Sequence, residues 1–349
     1  MGRWWYEMAQ ITLDKTWQRQ RGETVYVVGY EFASAMIKMK NLLIASGHWV
    51  LTQSSNGVLA GAVDYWTTHT SIVAAAEGTA HSWVVLRNTE MLGTNFEVCI
   101  SFNSTTRSIA SVYCTHQGFN LGGTFQNRPT AIGSEVIVAD KQTYTSSSAQ
   151  VWKVLVLTSS DGHCTRVLFT NTTSSSGCCG VWHFERIKNA PPWLTAPYVA
   201  IADPRSGSGD YAFRTTAENF PQYANFCHAT GGIARCYHTQ TIKVTFGCIG
   251  AVGAFGLNPV GRICRADTGA CPIYPVYVVS QNPAVPGFLG EMYDLYWLPS
   301  NFGDNAITIL NIMSIACCPF IYLPTTHSEM GMFNWGAWAY GDTGEGGLF

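Results

Sequence analysis

Residues 152–171 read WKVLVLTSSDGHCTRVLFTN, and this stretch decides the fold class. Two runs of aliphatic and β-branched residues flank Ser159-Ser160-Asp161-Gly162, a cluster of turn formers. That arrangement predicts two antiparallel strands joined by a tight turn.

The same pattern extends outward in both directions. Towards the N-terminus lie WVLTQ at 49–53, SWVVLRN at 82–88, FEVCISF at 96–102, SIASVYC at 108–114 and EVIVAD at 135–140. The first of these runs into Ser54-Ser55-Asn56-Gly57, and Asn-Gly is a strong hairpin signal. VWHFERI at 181–187 follows after a polar turn. Val, Ile, Trp, Phe and Tyr in partial alternation suit half-buried antiparallel strands. Residues 47–190 are therefore expected to form one β-sandwich domain.

Residues 1–46 read differently. Trp4, Trp5, Tyr6 and Trp17 sit among Lys15, Arg19 and Arg21, and they are the expected anchors of an extended N-terminal arm to a neighbouring subunit. Glu31 to Ala45 (EFASAMIKMKNLLIA) is the helix candidate. Phe32, Ala35, Met36, Met39, Leu42 and Leu43 recur at spacings of three and four, while Lys38 and Lys40 fall towards the other side. Such a helix either docks on a neighbour or covers its own sheet.

Asn189-Ala190-Pro191-Pro192 marks an expected domain boundary, with residues 191–349 forming a second β-rich domain. Its expected strands lie in TIKVTFGCIG, PIYPVYVVS, EMYDLYWLP and ITILNIMSIAC. Gly247, Gly250, Gly253 and Gly256 recur every third residue and suggest a tightly wound loop at a subunit contact. The fold class is thus mainly β, antiparallel, with one N-terminal helix.

Charge is scarce. Asp, Glu, Lys and Arg make up 12% of the 349 residues, about half the ordinary share of roughly 25%. A chain that gives up a charged surface is expected to bury much of that surface against other subunits. The net charge of −2 and scattered basic residues give no electrostatic footprint for nucleic acid. The N-terminus lacks the apolar stretch of a secretory signal, which predicts folding in a reducing cytosol. The twelve cysteines, including the vicinal pairs Cys178-Cys179 and Cys317-Cys318, then read as packed thiols. The apolar run 306–323 is broken by Asn311, Ser314 and Pro319, so it reads as buried strand and not as a membrane span.

Candidate chemistry is thin. Cys227, His228, Cys236 and His238 put four soft ligands close together, but the paired short gaps of a zinc knuckle are missing, so no metal or cofactor is expected. Cys264 and Cys271 flank a tight loop and would pair only in an oxidising setting. His183 and Glu185 give a His-x-Glu pair without the partner Pro-Cys-x-x-Cys of the deaminases, and their spacing places both on one strand face. Asp64, Asp140, Asp161, Glu135 and Glu185 include no spacing that selects a glycosidase pair. No nucleophile elbow, P-loop or dinucleotide fingerprint is present, so no enzyme is expected. Trp66, Trp83, Trp152, Trp182, Trp193, Trp297, Trp335 and Trp338 read as core or interface anchors, with sugar stacking as the alternative.

Several strings taken in order carry a resemblance: GHWVLTQSSNG, GTAHSWVVLRN, FEVCISF, GGTFQNRPTA, the 152–171 hairpin, VWHFERIKN, GFLGEMYDLYWLP and FNWGAWAYGD. Together they resemble structural proteins of tailed bacteriophages, over roughly residues 30 to 340. The resemblance implies a virion component made in the host cytoplasm. It would assemble as a homo-oligomer with other virion proteins on the tail, baseplate or capsid, with no catalytic residue to carry over. The alternatives are a carbohydrate-binding adhesin module contacting host surface glycans and, behind it, a glycan hydrolase.

Overall fold

The computed structural model describes residues 14–24, 30–72, 82–91, 95–102, 109–120, 128–132, 136–143, 151–171, 180–194 and 197–202. Beyond these it describes the segments 224–227, 233–234, 242–246, 274–280, 287–299, 308–310, 320–322 and 333–339. In chain order the first part contains β1 (Trp17–Glu23), α1 (Glu31–Ala45), β2 (Trp49–Asn56), β3 (Ala60–Gly61), β4 (Ser82–Asn88), β5 (Glu97–Phe102), β6 (Ile109–Thr115) and β7 (Val136–Thr143). Then come β8 (Trp152–Ser159), β9 (Cys164–Asn171), β10 (Gly180–Arg186), β11 (Tyr198–Ala202), β12 (Ala224–Cys227) and β13 (Ile233–Ala234). The last part holds β14 (Ile242–Phe246), β15 (Tyr274–Ser280), β16 (Gly287–Pro299), β17 (Thr308–Leu310), β18 (Phe320–Tyr322) and β19 (Phe333–Ala339).

The chain is mainly β, with antiparallel sheets and a single α-helix among the described residues. The first sheet runs β1-β8-β9-β10-β11-β12-β13, the second β3-β2-β4-β5-β6-β7 and the third β14-β15-β16-β19-β18-β17. The 152–171 hairpin forms as its sequence predicts, with Leu155 opposite Leu168 and Val156 opposite Val167. Gly162 closes its turn at φ +69, a left-handed conformation that glycine adopts without strain.

The first two sheets face each other across one core. Alternate residues point inward, so Val84, Leu86, Val98, Ile100 and Val112 of the second sheet meet Trp152, Val154, Val156, Val167, Trp182 and Phe184 of the first. Trp49 packs edge-on to Phe96 at 6.4 Å and to Phe184 at 5.8 Å, bridging the layers.

α1 lies across one lateral opening of this sandwich, touching β1, β8 and β2. Phe32 of α1 contacts Phe102 and Trp152, one ring from each sheet. Of the two sequence readings, the helix therefore covers its own sheets. On the opposite side β7 approaches β11 and β12.

Three features differ from the sequence reading. β1 is the edge strand of the first sheet, paired with β8 over its whole length from Trp17↔Ser159 to Glu23↔Lys153, and not a free arm. The same sheet continues through β11 to β13, so it takes strands from all three expected units, 1–46, 47–190 and 191–349. Pro191 and Pro192 lie in the connection of an antiparallel pair in which Trp182 opposes Ala202, and the sheet continues across the expected boundary. Lys40, placed by periodicity away from the core, is fully buried. Its ammonium donates to the Asp64 carboxylate and, at 2.7 Å, to the Trp66 carbonyl.

Candidate functional site

The densest chemistry among the described residues lies on the outer face of the first sheet. Strand alternation sets its membership. On β9, Thr165 accepts a bond from the core residue Trp49 and Val167 joins the core, so Arg166 points outward. On β10, Trp182 and Phe184 point inward, which turns His183 and Glu185 to the outer face. The antiparallel register puts His183 directly opposite Arg166. β16 then covers this face, held to it by a reciprocal backbone pair: Lys188 N–H to Glu291 C=O at 2.8 Å, and Glu291 N–H to Lys188 C=O at 2.9 Å.

Arg166 is fully buried and grips Glu185 with two bonds, Nε to Oε1 at 2.6 Å and Nη2 to Oε2 at 3.1 Å. Its Nη1 donates to the Asp294 carbonyl at 3.3 Å, and Nη2 donates to the Tyr293 carbonyl. Burial by itself would raise the Glu185 carboxyl. The Arg166 charge and the bonds from His183 and Arg166 outweigh it, so Glu185 titrates below the ordinary range and is ionised. Burial lowers His183 against the pull of Glu185, so the ring is neutral and its Nδ1–H donates to Glu185 Oε1 at 3.0 Å.

Asp294, on β16, closes the cluster from the other side. Its carboxylate accepts the Asp14 N–H at 2.8 Å, the Lys15 N–H at 3.1 Å and the Trp17 indole N–H at 2.8 Å. The Trp17 ring in turn lies under the Arg166 guanidinium, 4.4 Å from its centre. Asp294 has φ +46, the left-handed region that costs a non-glycine residue energy and that the surrounding bonds hold in place. Lys15 pairs with Asp161, and Lys188 with Asp14 at 2.6 Å, around the rim.

Chemically this is a clasp. Glu185 is sealed from solvent and neutralised by Arg166, while burial pushes the Cys164 thiol well above its usual range, so neither offers an accessible base or nucleophile. What the cluster does is hold the chain's own residues 14–17, by the Asp14 and Lys15 backbone N–H groups and by the Trp17 indole.

Comparison with known protein families, with characterised proteins and with solved structures finds no match.

The residues singled out in the sequence distribute as follows. Trp17 is buried against Asp294 and Arg166 of its own chain. Trp4, Trp5 and Tyr6 lie outside the described residues, as do His228, Cys236 and His238. Also outside them are Glu135, Cys178, Cys179, Cys264, Cys271, Cys317, Cys318 and the glycines at 247–256. Cys227 ends β12. No group of three or more His, Cys, Asp or Glu suited to a metal ion occurs among the described residues, and no helix there is long and apolar enough to cross a membrane.

His183 and Glu185 do share one face, as their spacing predicts, but their partner is Arg166. Asp64 is taken by Lys40 and Asp161 by Lys15. Asp140 lies on β7. Trp66, Trp83, Trp152 and Trp182 are buried, whereas Trp193 is 51% exposed. Trp297 lies on β16, and Trp335 and Trp338 on β19. The sequence reading missed Arg166 and Asp294. Each carried one readable signal, a charge inside a mostly apolar strand: Arg166 in CTRVLFTN and Asp294 in EMYDLYWLP.

Proposed function

We propose that this chain is a structural subunit of a bacteriophage particle and works by assembling in symmetric copies on the tail, baseplate or capsid. The phage assignment rests on the sequence resemblance. The observation that carries the assembly reading is a rigid, uncharged hairpin tip after β2. Asn56 Oδ1 accepts the Val58 and Leu59 N–H groups at 2.9 and 2.8 Å, and Ser55 Oγ accepts the Gly57 N–H at 2.9 Å. These bonds fix the backbone of Val58 and Leu59, which are 59 and 55% exposed; the nearby Val63 is 63% exposed, and no charged residue lies between Lys40 and Asp64. Apolar side chains on a fixed backbone lose little entropy when a partner covers them, and each Å² removed from water contributes about 25 cal/mol. Symmetry repeats that gain at every contact.

Light scattering across a concentration series tests the reading. The expected result is a defined oligomer that the double variant Val58→Asp, Leu59→Asp shifts towards monomer. A wild-type monomer at every concentration would overturn it.

A second reading, attachment to host glycans, is favoured by Trp193, which is 51% exposed. Quenching of its fluorescence by host surface glycans, absent in Trp193→Ala, would support it.

A further inference from the structure

We propose that β1 is an exchangeable strand: in the assembled state, residues 14–24 of one copy seat in the β8 and Asp294 socket of the next. This rests on the assembly reading and adds a second contact to that of the hairpin tip.

Three observations point to it. First, β1 (WQRQRGE) is hydrophilic, and Trp17 is its one buried side chain, so little burial ties it to its own copy. Its attachments are polar: Thr24 N–H to the Trp152 carbonyl at 2.9 Å, Trp152 N–H to Thr24 Oγ1 at 2.9 Å, Ser160 N–H to the Thr16 carbonyl at 2.8 Å, and the Asp294 clasp. Polar bonds of this kind break and re-form at a neighbour with little net change. Second, the socket is built for recognition. A fully buried Arg166–Glu185 pair, braced by His183, does little for stability that well-packed apolar residues would not, and such networks are best attested as devices that fix one partner in one register. Here the network presents a guanidinium face and, through Asp294, a carboxylate, which together read a tryptophan ring and its N–H.

Third, the socket edge needs an occupant. β8 carries Leu155 and Leu157, both fully buried, and a bare edge of such residues invites strand pairing with whatever is near. Cis and trans seating satisfy it with identical bonds, which is the condition for swapping. Five residues separate Thr24 from Tyr30, a reach of roughly 20 Å when extended, so the neighbour's socket must lie close to the start of α1.

Glu23 and Lys153 face each other across β1 and β8, their charged groups 3.4 Å apart. The full-length double variant Glu23→Cys, Lys153→Cys, assembled from a mixture of isotopically heavy and light copies and mildly oxidised, distinguishes the two seatings. The expected result is a ladder of covalent oligomers in which the 23–153 linked peptides contain heavy-light pairs. Oligomers by light scattering whose 23–153 links are all within single copies would overturn the exchange and leave the assembly reading standing. A monomer throughout would overturn both.

Discussion

Trp17 and Asp294, separated by 277 positions in the chain, meet through a 2.8 Å bond from indole to carboxylate. That bond ties the first described strand to the third sheet, and Arg166 completes it from the sandwich by covering the same ring. Three distant parts of the sequence therefore converge on one buried side chain. Several measurements follow from that convergence.

Trp17→Phe keeps the ring beneath Arg166 and removes only the N–H. Asp294 then holds two N–H donors in place of three. The expected loss is about 1–3 kcal/mol, the range for a buried bond to a charged group, read from urea unfolding of the full chain. Trp17→Ala loses the packing as well and should cost more.

Arg166→Met leaves the buried Glu185 carboxyl without the charge that holds it ionised. Removal of one member of such a pair typically costs about 3–5 kcal/mol. The double variant Arg166→Met, Glu185→Leu should recover at least half of that loss, because no uncompensated charge remains. A double-mutant cycle on unfolding free energy measures the coupling directly.

Acid should weaken the fold, and the sign follows from the carboxylates. Burial pulls Asp161 upward, but bonds from Lys15, Ser159 and the His163 N–H outweigh it and hold its carboxyl at about 2. An unfolded aspartate titrates near roughly 3.9, so the stability Asp161 contributes is complete above that value and is lost as the pH falls through its folded value. Glu185, also lowered, acts in the same direction. Asp294, raised by burial, contributes in the opposite sense and offsets part of the loss. Urea midpoints at neutral pH, about pH 4 and about pH 2.5 should fall for the wild type, and Asp161→Asn should flatten the last step.

Gly290→Ala should unseat β16. A β-carbon there would lie 2.2 Å from the Lys188 carbonyl oxygen and 2.5 Å from Ile187 Cγ2, at φ +134. Neither the backbone oxygen nor the dihedral can yield without breaking the Lys188–Glu291 pair, so a loss of at least about 2–3 kcal/mol is expected. Gly61→Ala, with nothing within 4 Å of the added carbon, serves as the control and should unfold at the wild-type midpoint within error.

The amino-acid sequence by itself determined the elements and their faces. Alternation in 152–171 predicted the hairpin, the Phe32-to-Leu43 spacing predicted the helix and its buried side, and the two-residue step from His183 to Glu185 put both on one face of a strand. These are local properties, since side-chain direction repeats every two residues in a strand and about every 3.6 in a helix. What only the tertiary structure decided was which faces meet. Lys40 looked solvent-facing until Asp64 and the Trp66 carbonyl gave its ammonium partners inside the fold. Trp17 read as part of a free arm until β8 supplied its edge and Asp294 its acceptor. Pairing between residues 17 and 294 leaves no periodic trace, because its energy depends on desolvation and geometry that exist only after the sheets have packed.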